Sequence, residues 1–226
     1  MGQLAWVANQ SRPDIAYDVC QLSVGLKNAT CKSVARANKC VKKLKNNPYM
    51  LKFPVIGDLK QAKLVVFADA SFANLEGCGS QGGYLVFLHG ENGSMPVLTW
   101  SSKKLDRVVN STSSAETMSL LKGFEAAYLL KSTLNNLYGN NLDLNVDVFT
   151  DCKNLKEIVN NSKNIENKRL KIDICTLRDH ILKKELSDLK WISTSAQLAD
   201  GLTKDGVNTE RLINVLKMVY AHYKML

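Results

Sequence analysis

One short segment limits the fold of this 226-residue chain more than any other. The run Leu64-Val65-Val66-Phe67-Ala68 is apolar throughout, and an unbroken apolar run is typical of a strand that is covered on both faces of its sheet. Asp69 follows it directly. We therefore expect a sheet with helices packed on it and a carboxylate at the end of its most apolar strand.

The sequence after this segment alternates between strand and helix patterns. Two further strands, joined by a hairpin that contains Gly90 and Gly93, form an antiparallel meander with the first. The whole order is βββαβαα(β)α, which predicts an α/β chain with a mixed sheet. After the first strand, the predicted elements are strands over 83–88 and 97–100, a helix over 115–137 capped by Ser113 or Ser114, a strand over 142–148, a helix after Asp151, a helix over 168–185, a strand over 189–192 and a closing helix over 207–223.

Two helices are predicted ahead of the sheet, and the second is strongly basic. The first begins near Pro13, and the second runs from about Ser33 to Lys45. We therefore divide the chain into a helical appendage over residues 1–58 and a sheet domain over residues 59–226. The basic residues in and next to the second helix, with no acid between them, are Lys32, Arg36, Lys39, Lys42, Lys43 and Lys45.

The overall charge favours a polyanionic partner or an acidic membrane surface. The chain has 30 lysine and arginine residues against 21 acidic ones, a formal net charge of +9 and a pI near 9.2. Its six cysteines are scattered without a Cys-x-x-Cys pair, which argues against a disulfide or zinc framework. No window approaches the roughly 18 apolar residues of a membrane span. We expect a chain of the cytosol or nucleus with no membrane partner.

Four acids occur where a surface acid is not required. Asp69 and Asp151 each end an apolar strand. If these strands are parallel neighbours, the two carboxylates emerge side by side at the carboxyl edge of the sheet, where α/β sheets place their ligands. Glu116 lies on the apolar stripe of the long helix, although a place in the first helical turn, where acids are favoured, would also explain it. Asp200 stands in a turn before the closing helix, where a capping role is the simpler interpretation.

The four acids together predict a metal-dependent chemistry. Four carboxylates at one sheet edge would repel one another unless divalent cations neutralise them, and Mg²⁺ prefers oxygen ligands. Two such ions about 3.5–4 Å apart can activate a water and stabilise the leaving oxygen of a phosphodiester. With basic surroundings to hold a polyanion, this pattern favours a nuclease. The other acids are expected at the surface or as caps: Asp106, Glu125, Asp143, Asp147, Asp173 and Asp179.

Six short blocks occur in order between residues 63 and 205: Phe67-Ala68-Asp69-Ala70-Ser71, Gly79 to Phe87, Trp100-Ser101-Ser102-Lys103-Lys104, Ser111 to Glu116, Thr150-Asp151, and Gln197 to Lys204. Together they resemble the ribonuclease H domain of a copia-type LTR-retrotransposon polyprotein. The resemblance implies a ribonuclease H-like fold, with a five-stranded mixed sheet flanked by helices. Segments 2–6 and 11–19 are similar to the end of the reverse transcriptase region in that family, but no polymerase-type Tyr-x-Asp-Asp occurs.

The resemblance also implies an activity and a set of partners. The chain would be an endonuclease that cleaves the RNA strand of an RNA–DNA hybrid, with two Mg²⁺ ions and Mn²⁺ as a substitute. Its other partner would be the upstream reverse transcriptase domain of the same polyprotein. The catalytic and metal-binding acids would be Asp69, Glu116, Asp151 and Asp200, and the lysines proposed to contact phosphates are Lys39, Lys42, Lys43, Lys103 and Lys104.

Two alternatives stay open beside this interpretation. The first is a catalytically decayed or domesticated module that keeps the ribonuclease H fold and binds nucleic acid without cleaving it. The second is a resolvase-type or integrase-type nuclease of the same fold, which the strand–helix order and the place of Glu116 in the first long helix disfavour.

Overall fold

The structure, a computed structural model, describes residues 1–161 and 165–218. Five strands form one sheet: β1 (Lys63–Leu75), β2 (Gly79–His89), β3 (Val97–Lys104), β4 (Asn145–Thr150) and β5 (Asp188–Trp191). In the sheet they lie in the order β3-β2-β1-β4-β5. β1, β2 and β3 pair antiparallel, whereas β4 runs parallel to β1 and β5 runs parallel to β4. The predicted meander and the parallel return of the fourth strand are confirmed.

Three helices precede the sheet in the described residues, one more than the sequence predicts, and the later helices follow in the predicted order. The described residues form α1 (Gly2–Gln10), α2 (Ala16–Val24), α3 (Cys31–Asn46), α4 (Thr112–Leu137), α5 (Lys153–Asn160), α6 (Lys168–Leu182) and α7 (Glu210–Lys217). A short 3-10 turn at Asp200–Leu202 comes before α7.

β1 is buried on both faces, as its apolar run predicts. On one face, Val66 belongs to a core cluster with Phe124 of α4 and Ile174 of α6. On the other face, Phe67 belongs to a second cluster with Leu212 of α7. Both clusters exclude water from the central strand, which stabilises the sheet.

The long helix α4 begins earlier than predicted. Ser111 is its N-cap, because its Oγ accepts a hydrogen bond from the backbone N–H of Ser114 at 3.1 Å. The predicted caps, Ser113 and Ser114, are wrong, since both lie inside the helix. Glu116 consequently lies in the second turn of α4 and not in the first.

β4 and α7 begin later than predicted. Pairing of β4 with β1 starts where Asn145 lies opposite Lys63, so Leu142 precedes the ladder although it is buried. α7 begins at Glu210, whose N–H donates to Asn208 Oδ1 at 2.8 Å. The helix ends at Lys217, before the non-helical Met218, and the rest of the predicted continuation, residues 219–223, lies outside the described residues.

The N-terminal helices pack directly on the sheet. Ala16 of α2 belongs to the same core cluster as Phe67, and the indole N–H of Trp100 on β3 donates to Ala8 O at 2.8 Å. None of the helices in the described part of the chain is long and apolar enough to cross a membrane. The division of the chain at residue 58 stays a prediction.

Candidate active site

Three carboxylates from three different elements meet at the carboxyl edge of the sheet. Asp69 lies on β1, Glu116 on α4 and Asp151 directly after β4. The parallel pairing of β1 with β4 ends where Phe67 lies opposite Phe149, so Asp69 and Asp151 each follow this last pair by two residues at the same edge. One oxygen atom from each carboxylate lies within 4.8 Å of the others. The structure thus brings together three of the four predicted acids, and we call them the acidic cluster.

Two members of the acidic cluster are shielded from water. Asp69 is 1% exposed and Glu116 is 6% exposed. Burial raises the pKa of Asp69 to about 6 and the pKa of Glu116 to about 9, and the negative charge of Asp151 adds to both effects. Because buried, uncompensated charge is costly, this arrangement favours a bound cation when the carboxylates are ionised.

The position of Glu116 in α4 excludes stabilisation by the helix dipole as the reason for an acid on the apolar stripe of this helix. Stabilisation by the helix dipole requires the first turn, and α4 has no acid there. The Glu116 carboxylate instead accepts a hydrogen bond from the backbone N–H of Ala70. Since Ala70 directly follows Asp69 on β1, this bond ties the Glu116 side chain to the central strand beside Asp69.

Asp200, the fourth predicted acid, lies beside the cluster but is engaged by a lysine. Its carboxylate accepts a hydrogen bond from the ammonium of Lys204. The same ammonium lies 3.5 Å from Asp69 Oδ2, and the hydroxyl of Thr203 also donates to Asp69 Oδ2. One stretch of chain therefore supplies both a cation and a hydroxyl to the central acid. We call residues 200–209 the 200–209 segment.

Sequence reasoning gave Thr203 and Lys204 no role of their own. Both lie in the last block of the family resemblance, and Lys204 follows Asp200 by four residues, a spacing that allows an ion pair along a helical turn. This spacing is the feature of the sequence that could indicate the contact between Lys204 and Asp200. The contact of Thr203 with Asp69 joins residues 134 positions apart, so it depends on the tertiary fold.

The donor set of the acidic cluster fits a divalent cation. Mg²⁺ prefers carboxylate oxygens, and Asp69, Glu116 and Asp151 each offer one within 4.8 Å of the others. Between Asp69 and Asp200, by contrast, the positive charge is the ammonium of Lys204. The acidic cluster is therefore the part of the site that is suited to a metal ion.

The lysines that the sequence assigned to phosphate contact fall into two groups. Lys43 is half-buried on the inner face of α3, and its ammonium donates to Asp14 O at 2.7 Å and to Thr209 Oγ1 at 3.1 Å. Its donors thus join α3 to the 200–209 segment, which does not fit the expected contact with phosphate. The exposed lysines of the predicted set are Lys39, Lys42, Lys103 and Lys104.

A basic cleft of about 380 Å³ opens between the starts of α4 and α6. Ser114, two residues before Glu116, forms part of its wall. Asn167 donates to Asn110 at 2.7 Å although they are 57 positions apart, so no local sequence pattern could predict the cleft. The basic side chains that line it are Arg107, Lys168 and Arg169.

Two acids that the sequence predicts at the surface are partly or fully buried, and each contacts basic side chains. Asp147 is buried, and its Oδ2 accepts hydrogen bonds from Lys63 at 3.0 Å and Lys190 at 2.9 Å. The solvated position predicted for Asp147 is wrong, because β4 lies inside the sheet and is covered on both faces. Asp173 is partly buried and accepts a hydrogen bond from Arg107.

The sheet and the acidic cluster define a class of protein. The five-stranded mixed sheet with flanking helices is the architecture that the family resemblance implies. The chain has a ribonuclease H-like fold. No protein-family model matches the sequence.

The chain is also related in sequence to a retrotransposon protein. Over 111 residues it is 37% identical to the transposon Ty5-1 protein of Saccharomyces cerevisiae. The match covers 48% of this chain and 33% of the yeast protein, so the chain spans about a third of the length of this relative. It is a homologue of a Ty5-like retrotransposon protein.

Several solved structures are similar to the chain. The N-terminal RNase H domain of a Mycobacterium tuberculosis protein is 19% identical with a TM-score of 0.44, over 68% of this chain and 97% of that one. LC11-RNase H1, from compost, solved with an RNA/DNA hybrid, is 15% identical with a TM-score of 0.46, over 67% and 99%. A foamy virus protease-reverse transcriptase solved with double-stranded DNA is 13% identical with a TM-score of 0.47, over 85% and 31%.

Proposed function

We propose that this chain is a metal-dependent endonuclease of the ribonuclease H type, which cleaves the RNA strand of RNA–DNA hybrids. The observation that carries this function is the acidic cluster, whose three carboxylates lie within 4.8 Å of one another at the carboxyl edge of the sheet. The sequence relation to a Ty5-like protein supports a place in the reverse transcriptase and ribonuclease H region of a copia-type polyprotein. The upstream reverse transcriptase domain is then the second partner.

Asp69, Glu116 and Asp151 are the residues that would hold the metal ion, Mg²⁺ with Mn²⁺ as a substitute. A divalent cation bound there supplies activation of the attacking water and neutralisation of charge at the scissile phosphodiester. The role of the protein itself is to keep these carboxylates oriented. The N–H of Ala70 holds Glu116, and the hydroxyl of Thr203 holds Asp69.

Lys204 adds a fixed positive charge to the same site. Its ammonium faces Asp69 and Asp200 and is partly exposed. A lysine ammonium attracts phosphate as a point charge, so Lys204 can contact the backbone of the strand that approaches the acidic cluster. Asp200 keeps its predicted part in holding a second metal ion, for which Lys204 would have to release its carboxylate.

A polyanionic substrate requires positive surface around the acidic cluster. The basic cleft contributes Arg107, Lys168 and Arg169, and exposed lysines on β3 and α3 extend this surface. Such contacts hold a hybrid in register without reading its sequence. Selection of RNA would come from contacts with 2′-hydroxyl groups. The six free cysteines support activity in a reducing compartment, the cytosol or nucleus.

Cleavage of an end-labelled RNA–DNA hybrid tests this function. The wild type should cut the RNA strand in Mg²⁺, stop in excess EDTA and resume in Mn²⁺. Asp69→Asn and Asp151→Asn should each lower the rate by roughly 100-fold or more. Asp143→Asn is the matched control, because the Asp143 side chain is 93% exposed. Cleavage that survives Asp69→Asn would overturn the assignment.

The contact between Lys204 and Asp69 favours one second candidate, a module that binds hybrids without cleaving them. An ammonium 3.5 Å from the buried acid already compensates part of its charge, so the fold depends less on a metal ion. Equal hybrid affinity in EDTA, Mg²⁺ and Mn²⁺, without product in any of them, would favour this candidate over the nuclease.

A further inference from the structure

We propose that α2 and α3 support the candidate active site. Gln21 on α2 and Arg36 on α3 position the 200–209 segment against Asp69. Three separate connections run from α2 and α3 to this segment. The effect on turnover rests on the proposed nuclease function, whereas the positioning itself can be measured without any activity.

The first connection is a relay of amide and hydroxyl groups. Gln21 Nε2 on α2 donates to Gln81 Oε1 on β2 at 3.2 Å. Gln81 Nε2 donates to Ser102 Oγ on β3 at 2.9 Å, and Ser102 Oγ donates to Leu202 O at 2.6 Å. Gln81 and Ser102 are buried, where an unmade hydrogen bond costs more than at the surface. The relay therefore fixes the backbone immediately before Thr203.

The second connection is ionic. The guanidinium of Arg36 on α3 lies 2.9 Å from Asp18 Oδ1 and 3.4 Å from Asp205 Oδ2. Asp18 belongs to α2, and Asp205 directly follows Lys204. The Arg36 and Asp18 side chains are 27% and 23% exposed, so salt screens their contact less than a fully exposed ion pair, whereas the Asp205 side chain is 63% exposed and its contact is screened more. Arg36 thus joins α2 and α3 to the residue after Lys204.

The third connection reaches the end of the segment. The ammonium of Lys43 donates to Thr209 Oγ1 at 3.1 Å and to a backbone carbonyl near the start of α2 at 2.7 Å. Thr209 in turn packs on the turn that begins at Asp200, since a Cβ at Gly201 would lie 2.6 Å from Thr209 Cγ2. The three connections therefore bracket the two residues that contact Asp69.

The 200–209 segment contains one short turn and no strand, so it lacks the ladder of hydrogen bonds that holds the sheet. Segments of this kind keep their position through side-chain contacts with their neighbours. If α2 and α3 loosen, Thr203 and Lys204 move relative to Asp69. Turnover then falls because catalytic geometry is sensitive to small displacements, while Lys103 and Lys104 on β3 and the basic cleft, which lie outside these two helices, stay in place.

Hydrogen exchange tests the positioning directly. In Gln21→Ala and Arg36→Ala, backbone amides of residues 200–209 should exchange about three- to tenfold faster than in the wild type, measured by mass spectrometry in EDTA. Gln10→Ala changes an exposed glutamine of α1 and should leave this exchange unchanged. Arg36→Lys keeps the positive charge and should restore part of the protection. Unchanged exchange over residues 200–209 in both alanine variants would overturn the inference.

Turnover of a labelled hybrid supplies the second readout. The kcat of Gln21→Ala and Arg36→Ala should fall about three- to tenfold, with KM close to the wild-type value. Faster exchange spread evenly over the whole chain would overturn the inference, because it would indicate a general loss of stability. If the wild type cleaves nothing, the proposed function fails, and the exchange at residues 200–209 still decides whether the N-terminal helices position the segment.

Discussion

The ammonium of Lys204 lies 3.5 Å from Asp69 Oδ2, so the buried acid on the central strand has a cation that belongs to the chain. The same ammonium engages the carboxylate of Asp200. Burial raises the pKa of Asp69, and the charge of Lys204 opposes that rise. Lys204 thus neutralises part of the negative charge of Asp69 and Asp200, and the acidic cluster stays available to bind a metal ion.

Lys204→Met should strengthen the binding of a divalent cation. Two unit charges about 4 Å apart interact by roughly 1–4 kcal/mol at the dielectric constants of water and a protein surface, so loss of the ammonium leaves Asp69 and Asp200 more strongly negative. We expect the Kd for Mn²⁺, measured by calorimetry, to fall about fivefold or more. Lys60→Met, at an exposed lysine, is the control. Weaker binding of Mn²⁺ by Lys204→Met would contradict the role given to this ammonium.

Glu116→Gln should stabilise the metal-free protein at alkaline pH. The pKa of Glu116 is raised to about 9 by burial and by the charges of Asp69 and Asp151, above its ordinary value of 4.5. A carboxyl whose pKa is higher in the folded state binds protons more tightly there, so its charged form lowers stability increasingly as pH rises from about 4.5 towards 9. Removal of the charge should raise the unfolding free energy at pH 8 by roughly 1–3 kcal/mol.

Urea unfolding in EDTA measures this effect. The gain from Glu116→Gln should nearly disappear at pH 4, where the wild-type carboxyl is protonated in both states. Glu125→Gln changes an exposed glutamate of the same helix and should alter stability little at either pH. Equal gains at pH 4 and pH 8 would mean that the charge of Glu116 is not the cause.

The double variant Lys103→Gln/Lys104→Gln should weaken hybrid binding equally for all sequences. Each phosphate contact on a duplex contributes about −0.9 to the slope of log K against log salt, so two lost contacts should make this slope shallower by about 2. Fluorescence anisotropy in EDTA at several salt concentrations measures it. Lys183→Gln/Lys184→Gln changes an adjacent, exposed lysine pair near the end of α6 and serves as the control. A wild-type slope in the first variant would exclude Lys103 and Lys104 from the interface.

Much of the fold follows from the sequence because its signals are local. The apolar run before Asp69 predicts a strand buried on both faces, and β1 is the central strand of the sheet. The long helix between two apolar strands predicts a parallel return, which places Asp151 beside Asp69. The sequence predicts the wrong N-cap for α4 because serine or threonine occupies every position from Ser111 to Ser114, and each one can cap a helix.

The contacts that complete the site are less accessible from sequence because they join distant segments. Lys204 and Thr203 reach Asp69 only after the closing part of the chain folds across β1. Alternation along a strand indicates one solvated face and therefore predicts a solvated Asp147, whereas β4 lies between β1 and β5 and every residue of it after Asn145 is buried. Lys43 belongs to the same run of basic residues as its neighbours on α3. The packing of that helix turns its side chain inward, and the sequence of the run does not show this.

Gly83→Ala should displace the 200–209 segment without unfolding the sheet. A Cβ at Gly83 would lie 2.6 Å from Leu202 Cβ, 3.0 Å from Thr203 Cγ2 and 3.3 Å from the backbone carbonyl carbon of Leu202, so the backbone of the segment must move. Because a 1 Å displacement near the chemistry can cost about 100-fold in rate, we expect hybrid cleavage to fall by at least about tenfold, with hybrid affinity and circular dichroism unchanged. Gly2→Ala is the matched control, since its Cβ would meet nothing within 4 Å. Wild-type turnover in Gly83→Ala would mean that cleavage does not require Thr203 and Lys204 to be held against Asp69.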